Sequence, residues 1–379
     1  MHIVLVCNPG NRRAKMFCDA MRRLRLPDAQ VLSYQDILDG NVSVADYLTP
    51  SALLRIESPG EDFGIEKRLI ALGAAINCNG RAERISFEDA LRLGSDHGRI
   101  RFLRQWYLGY DHLLQRLGID VTQSGCRVFN SPESIGLMFD KVRCHDLLKS
   151  NGVPVPERTI SAKGYDELRQ ALRNQQFKRV FVKPAHGSSA SGVIAYRMQG
   201  DKEEVFTSVE LVENGSEYRL YNTLQPRRYN DRGQIRRIVN FILSEGAIIE
   251  EWIPKETLNS KFFDVRVVVI NGRARVVLPR LSNGAITNLH LGNERGESLE
   301  LQQLMGERFA GLAACAERAA VTAGAFYAGV DVLVTAGSHQ PRVLELNAFG
   351  DLLPGVSTNT GDDLYTCALK ERLNETSDF

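Results

Sequence analysis

The chain has 379 residues, with 47 Lys and Arg against 46 Asp and Glu; a net charge of +1 provides no global field to attract nucleic acid or a membrane surface. Its 43% hydrophobic and 25% charged residues are ordinary for a globular protein, and the length suits two or three packed modules better than one core. Seven scattered cysteines (Cys7, Cys18, Cys78, Cys126, Cys144, Cys315 and Cys367), none in a CxxC pair, argue against a zinc ribbon or a disulfide framework and for a reducing compartment.

Residues 2–7, HIVLVC, read as a buried strand ending at Asn8-Pro9-Gly10, and residues 13–24 follow with helical spacing. Strands and helices alternate to about residue 120, which predicts a parallel, doubly wound sheet. The first strand lacks the GxGxxG turn that a nicotinamide-dependent dehydrogenase needs, so that class is set aside. The apolar start is too short for a signal peptide and lacks a basic flank. No run of about 18 apolar residues suggests a membrane span, so the expected location is the cytoplasm.

Ser131 is placed to cap a helix with Pro132 at its first position. One helix is expected from there through Lys141 to about Lys149, closed by Asn151-Gly152. FKRVFVKPAHGSSASGVIAYR, residues 177–197, reads as strand, small-residue loop, strand. Residues 201–245 are polar and arginine-rich, with no clear period. FFDVRVVVINGRARVVLPR is a hairpin turning at Asn271-Gly272. Residues 301–324 are expected to form a single alanine-rich helix, and YAGVDVLV and PRVLELN a final strand pair.

That last pair carries the chemistry. Glu345 and Asn347 are two apart on a strand and share a face. A carboxylate in so apolar a setting is costly unless a cation meets it. Asp331 on the preceding strand adds a third oxygen donor, and such a set suits Mg²⁺ completed by water and phosphate oxygens. Polar residues facing solvent would be the bland alternative, and the convergence of three in an apolar region argues against it. Lys183 ends a strand before Gly187, Ser188, Ser189, Ala190, Ser191 and Gly192, small residues that let backbone N–H groups approach phosphates. The loop is not a Walker A motif, because the GxxxxGK[ST] order is absent.

Lys141 in FDKVR, Lys183 in FVKPAHGSSASGV, EEWIP, the hairpin from Asp264 to Arg280, TNLHLGN, and Asp331 with Glu345-x-Asn347 occur in an order that resembles the ATP-grasp superfamily. The resemblance spans residues 128–355. It is nearest to the branch that adds glutamate to ribosomal protein S6 or to amino-group carrier proteins. It implies an α/β chain, α+β in its C-terminal half, with the ATP-grasp fold. The implied domains are a Rossmann-like front domain over residues 1–125, a lid lobe with a phosphate loop and a basic insertion over 126–250, and a large lobe with a magnesium site over 251–379.

The resemblance also implies residue roles. Lys141 and Lys183 would hold nucleotide phosphates, under a flap containing His186, Gly187, Ser188, Ser189 and Gly192. Glu251, Trp252 and Ile253 would read adenine, and Asp264 would sit beside the ribose. Asn288 would contact phosphate, and Arg280 would steady an acyl phosphate. Asp331, Glu345 and Asn347 would bind magnesium, two ions in all.

The implied activity is ATP-dependent ligation of a carboxylate to an amine, with a peptide or protein among the substrate classes. A small-molecule kinase and a non-catalytic nucleotide-binding partner are the alternatives on the same scaffold. No nucleic acid or membrane partner is expected, and homodimerisation is left open. The chain departs from the ribosomal-protein branch in having Ile286-Thr287 before Asn288, and AFGDLLPG after Asn347 in place of a serine-proline-glycine stretch. Such regions recognise the acceptor, so its identity does not carry over.

Overall fold

The computed structural model describes residues 2–77, 80–158, 160–174, 178–187, 190–215, 217–287, 292–350 and 353–374. Ser188, Ser189 and Asn288, for which phosphate contacts were expected, lie outside them. Three sheets organise the chain.

The first sheet is built from β1 (His2–Cys7), α1 (Arg12–Arg23), β2 (Gln30–Ser33), α2 (Tyr34–Leu38), β3 (Ala52–Ile56), α3 (Phe63–Ala74), α4 (Phe87–Arg92), α5 (Leu103–Ser124) and β4 (Arg127–Val128). Its strand order is β2-β1-β3-β4, all parallel. β1 and β3 are buried on both faces, which is why they read as unbroken apolar runs. α3 and α5 cross so closely that a Cβ on Gly109 would lie 1.9 Å from the Leu69 carbonyl oxygen, and one on Gly73 1.9 Å from that of Gln105. Only glycine permits that approach.

The segment that follows is not one helix but two, α6 (Pro132–Phe139) and α7 (Lys141–Ser150). Ser131 caps the first as expected, its side chain accepting from Ser134 N. Asp140 interrupts them with extended backbone (φ −104, ψ 95), and its carboxylate accepts from Val142 N and Arg143 N to cap the second. Lys141 thus becomes the first residue of a new helix rather than a mid-helix residue.

The second sheet contains β5 (Arg179–Pro184), β6 (Ile194–Gln199), β7 (Lys202–Asn214), β8 (Glu217–Tyr229) and β9 (Ala247–Glu251), in the antiparallel order β8-β7-β6-β5-β9. α8 (Tyr165–Asn174) and α9 (Arg232–Ser244) cover one face. Val180, Val182, Tyr196, Val205, Ile235 and Ile242 form the core beneath them. Residues 201–245 are therefore a long hairpin and a helix. They lacked a readable period because β8 buries only Leu220, so most of that strand has no dry face to select for alternation.

The third sheet contains β10 (Thr257–Leu258), β11 (Lys261–Ile270), β12 (Arg273–Ser282), β13 (Glu294–Arg295), β14 (Tyr327–Val334) and β15 (Pro341–Asn347), in the order β13-β12-β11-β14-β15 with β10 pairing β11. The β11–β12 hairpin turns through Asn271 (φ 50) and Gly272 (φ 68), two left-handed residues in succession. The expected single alanine-rich helix is two, α10 (Ser298–Met305) and α11 (Arg308–Thr322), separated by Gly306 at φ 55, ψ −130. Ala316, Ala319 and Ala320 bring α11 close against the sheet beside Val265, Val267 and Val330. The other face packs Val268 and Ile270 with α1 and α12 (Leu364–Asn374). Each valine buried this way contributes roughly 1.5–3 kcal/mol.

The first and third sheets meet around a buried cation. Arg55 lies 4.6–5.3 Å from the ring centres of Phe17, Phe129, Tyr327 and Tyr365, with its Nε 2.6 Å from Glu57 Oε1. The rings supply cation–π attraction and Glu57 supplies the countercharge. No helix of the described residues is long and apolar enough to cross a membrane.

Candidate active site

The acidic end of the site is made by a β-bulge. Register runs Asp331↔Glu345 and then Val332↔Val343, leaving Leu344 unpaired. Without the bulge, Val343 and Glu345 would share a face. With it, Val343 joins the core beside Val332 while Glu345 turns to the opposite face with Asp331. Gly329↔Asn347 continues that face, and Asn347 Nδ2 donates to Gly329 O at 3.2 Å, leaving its Oδ1 for a cation.

β11 and β12 bring arginines to the same face. Arg266 is paired with Asp331 by register, and its Nε donates to Asp331 Oδ1 at 2.5 Å. Arg280 donates from Nε to Asp264 Oδ1 at 2.7 Å and lies 3.1 Å from Asp331 Oδ2 through a terminal nitrogen. Burial alone would raise Asp331, but Arg266 and Arg280 outweigh it and hold the carboxyl below its usual range. Burial pulls Arg280 down, and Asp264 and Asp331 more than reverse it.

Asp264, expected beside the ribose, is buried. Its oxygens are taken by Arg280 and by the Thr287 hydroxyl.

The two lysines arrive from other elements. Lys141 at the start of α7 reaches Gly187 O at 2.6 Å and Glu345 Oε1 at 3.3 Å. Lys183 on β5 meets Glu250 Oε2 on β9 at 2.6 Å. Burial lowers the Lys183 ammonium, but Glu250, and beyond it Glu345 and Asp331, hold it above its ordinary value.

Of the expected phosphate loop, the structure describes His186, Gly187 and Gly192. His186 stacks face to face on Tyr107 of α5, with ring centres 3.8 Å apart, and desolvation pushes its pKa down to about 4. Gly192, at φ 72, sits where a Cβ would lie 2.8 Å from Pro184 Cγ. Of the expected adenine readers, Glu251 N donates to Glu157 O, Trp252 lies 5.2 Å from Phe181 ring to ring, and Ile253 is buried.

Sequence reading missed three further groups. Glu250 stands beside Glu251, and two consecutive strand residues cannot both face the site; the Phe181↔Glu250 register gives that face to Glu250. Arg266 follows Asp264 by two residues on one strand, a signal that was readable and passed over. Lys255 had no local signal. It donates to Thr287 Oγ1 at 2.6 Å, and burial, only partly offset by Asp264, lowers it to about 8.

Five cations (Lys141, Lys183, Lys255, Arg266 and Arg280) thus converge with Glu250, Asp264, Asp331 and Glu345. Among the described residues, no group of three or more His, Cys, Asp and Glu could hold a metal by itself. Two carboxylates and an amide oxygen instead match the donor chemistry of a Mg²⁺ that shares its shell with phosphate. Asp331 is engaged by arginines, so Glu345 and Asn347 are the more available donors.

A family described as YheC/D like ATP-grasp matches residues 126–320. The probable alpha-L-glutamate ligase of Nitrosococcus oceani is 25% identical over 303 residues, covering 76% of this chain and 85% of that protein. The coenzyme gamma-F420-2:alpha-L-glutamate ligase of Methanocaldococcus jannaschii is 23% identical over 224 residues, covering 59% of this chain and 62% of that protein. Among solved structures, D-cycloserine synthetase DcsG superposes with a TM-score of 0.55 at 16% identity, over 98% of this chain and all of the other. The ATP-grasp ligase PsnB, complexed with precursor peptide PsnA2 and AMPPNP, gives 0.52 at 15% identity, over 99% of this chain and 97% of the other.

Proposed function

This chain belongs to the YheC/D-like ATP-grasp family, and from that premise we propose that it is an ATP-dependent carboxylate–amine ligase that works through an acyl phosphate. The observation that carries the proposal is the convergence of Lys141, Lys183, Lys255, Arg266 and Arg280 beside Asp331, Glu345 and Asn347. So dense a cationic site suits the charge that develops when phosphate is transferred. The named activity of the alpha-L-glutamate ligases supports the reaction class. PsnB with Mg and ADP, and with a precursor peptide, supports ATP, Mg²⁺ and a peptide among the substrates.

A carboxylate oxygen of the first substrate attacks the γ-phosphorus of ATP, the bond to the β-phosphate oxygen breaks, and ADP leaves. Lys141 and Lys183 hold phosphate oxygens. The second substrate's amine then attacks the acyl carbon, the carbon–oxygen bond breaks, phosphate leaves, and the nitrogen loses a proton. Arg280, fixed by Asp264, and Arg266 stabilise the oxyanion of the tetrahedral intermediate. Glu345 and Asn347, with Asp331, would hold Mg²⁺, which when bound neutralises phosphate charge; we assign two ions. Glu251, Trp252 and Ile253 would contact adenine. Exclusion of water from this site would protect the acyl phosphate, which water otherwise hydrolyses.

The test follows the fate of ATP with purified protein, Mg²⁺ and an extract of small molecules and peptides, products being resolved by mass. ADP, free phosphate and a product lighter by one water than its two parts establish the ligase. ADP with a stable phosphorylated metabolite makes the protein a kinase and overturns the proposal.

A further inference from the structure

The face of the second sheet that carries Lys183 does not end at the nucleotide site. Register places Arg179, Arg197 and Glu204 side by side across β5, β6 and β7, and Phe206 opposite Arg228 on β8. Alternation puts all of them on the Lys183 face, away from α8 and α9. Arg179, Arg197, Glu204 and Arg228 line a groove of about 990 Å³ at the far end of the sheet, whose described lining has six cations and three carboxylates.

The charges there are unevenly matched. Arg197 and Arg228 both converge on Glu204, and both guanidiniums lie over the Phe206 ring, at 5.6 and 5.5 Å. Their side chains remain 56% and 64% exposed, while Glu204 is 9% exposed. One carboxylate cannot neutralise two arginines. Arg179 has no carboxylate partner among the described residues and leans over Trp252 at 5.8 Å from its ring centre. Lys202 is exposed at the groove's edge. Asp201 and Glu203 offset little of this, because Arg169, Arg173 and Arg232 already engage them.

We infer that this groove docks an acidic segment of a peptide acceptor, with Arg179, Arg197, Lys202 and Arg228 receiving its carboxylates. The inference rests on the ligase reading above and deepens it. A guanidinium carries five N–H donors in a fixed fork, so Arg197 and Arg228, each spending part of that fork on Glu204, retain donors for further carboxylates. Arg179 lies four residues along β5 from Lys183, roughly 13 Å. The groove therefore holds a part of the acceptor remote from the reacting group, where binding energy can orient it.

The experiment is fluorescence anisotropy on the full chain without ATP, read beside the separate assay of ATP turnover described above. The probes are a labelled peptide of alternating Glu and Ala, its Gln-for-Glu counterpart, and an oligothymidylate of equal charge. The variant is Lys202→Ala with Arg228→Ala, which leaves Arg197 on Glu204 and so strands no buried carboxylate. Mg-ATP binding serves as its folding control.

The acidic peptide should bind more tightly than the Gln peptide, lose affinity with salt, and weaken roughly fivefold in the variant at unchanged ATP affinity. Equal affinity for the two peptides, or no loss in the variant, overturns the inference. Tighter binding of the oligothymidylate through the same two residues overturns it too and assigns the groove to nucleic acid. ATP-driven amide formation on a small acceptor, without peptide binding, removes the groove and leaves the ligase reading intact. Peptide binding by this pattern with no ATP turnover supports the groove and removes the ligase reading instead.

Discussion

Lys183 on β5 and Glu250 on β9 meet at 2.6 Å with side chains only 12% and 4% exposed. A buried pair of this kind strands a charge when one partner is lost. Glu250→Gln should cost about 3–5 kcal/mol in urea unfolding and also weaken Mg-ATP binding. The double change Lys183→Met, Glu250→Leu should recover most of the stability and none of the ATP affinity. A double variant that still binds ATP would remove Lys183 from the phosphate site.

Glu345 faces Lys141 at 3.3 Å, a looser contact than the 2.5 Å between Arg266 and Asp331 or the 2.7 Å between Arg280 and Asp264. Glu345→Gln keeps the shape and removes the charge. The protein should stay folded, its turnover should vanish, and its ATP affinity with Mg²⁺ should fall to that of the wild type with EDTA. Retained turnover in a folded Glu345→Gln protein would sink the metal assignment.

Lys255 is held down to about 8, against 10.5 for the free group, chiefly by burial. Between these values the unfolded chain binds more protons than the folded one, so stability should rise as pH rises from 8 towards 10.5. The total is roughly 3 kcal/mol. Lys255→Met should remove this contribution, seen as a flatter curve of urea midpoint against pH than the wild type shows.

Glu245 has the opposite sign. Burial raises it from 4.5 to about 7, although its carboxylate accepts from Arg104 N, at 3.0 Å, near the start of α5; Glu83 adds to the rise. The folded chain binds the extra proton, so stability should fall as pH rises from 4.5 through 7. Glu245→Gln keeps an acceptor for the helix end and should abolish that slope. An unchanged slope would show that Glu245 titrates normally.

Gly109→Ala would drive a methyl to 1.9 Å from Leu69 O, so α3 and α5 would have to separate. A loss of about 1–3 kcal/mol or more is expected in thermal unfolding. Gly311→Ala in α11, where nothing lies within 4 Å, should instead add about 0.5–1 kcal/mol.

Much of the fold was legible because its signals are local. The β11–β12 hairpin followed from Asn271-Gly272 between two β-branched runs, and the Ser131 cap from the Ser-Pro-Glu start. Asp140 and Gly306 show where local reading failed. Asp140 looks like one more residue of a helix, but as an N-cap its side chain offers the backbone a competing set of hydrogen bonds. Gly306 falls inside the single helix expected over residues 301–324, and its positive-φ backbone (φ 55, ψ −130) instead ends α10.

The sequence by itself determined the order of the motifs, the hairpin, the apolar strands and the face-sharing of Glu345 with Asn347, all consequences of spacing along one strand or one turn. Only the tertiary structure decided the pairings: Glu250 rather than Glu251 against Lys183, two arginines on Asp331, and Lys255 beside Thr287. An ion pair depends on distance and burial in space. Inter-strand register, shifted at Leu344 by one unpaired residue, sets both, and no local propensity encodes it.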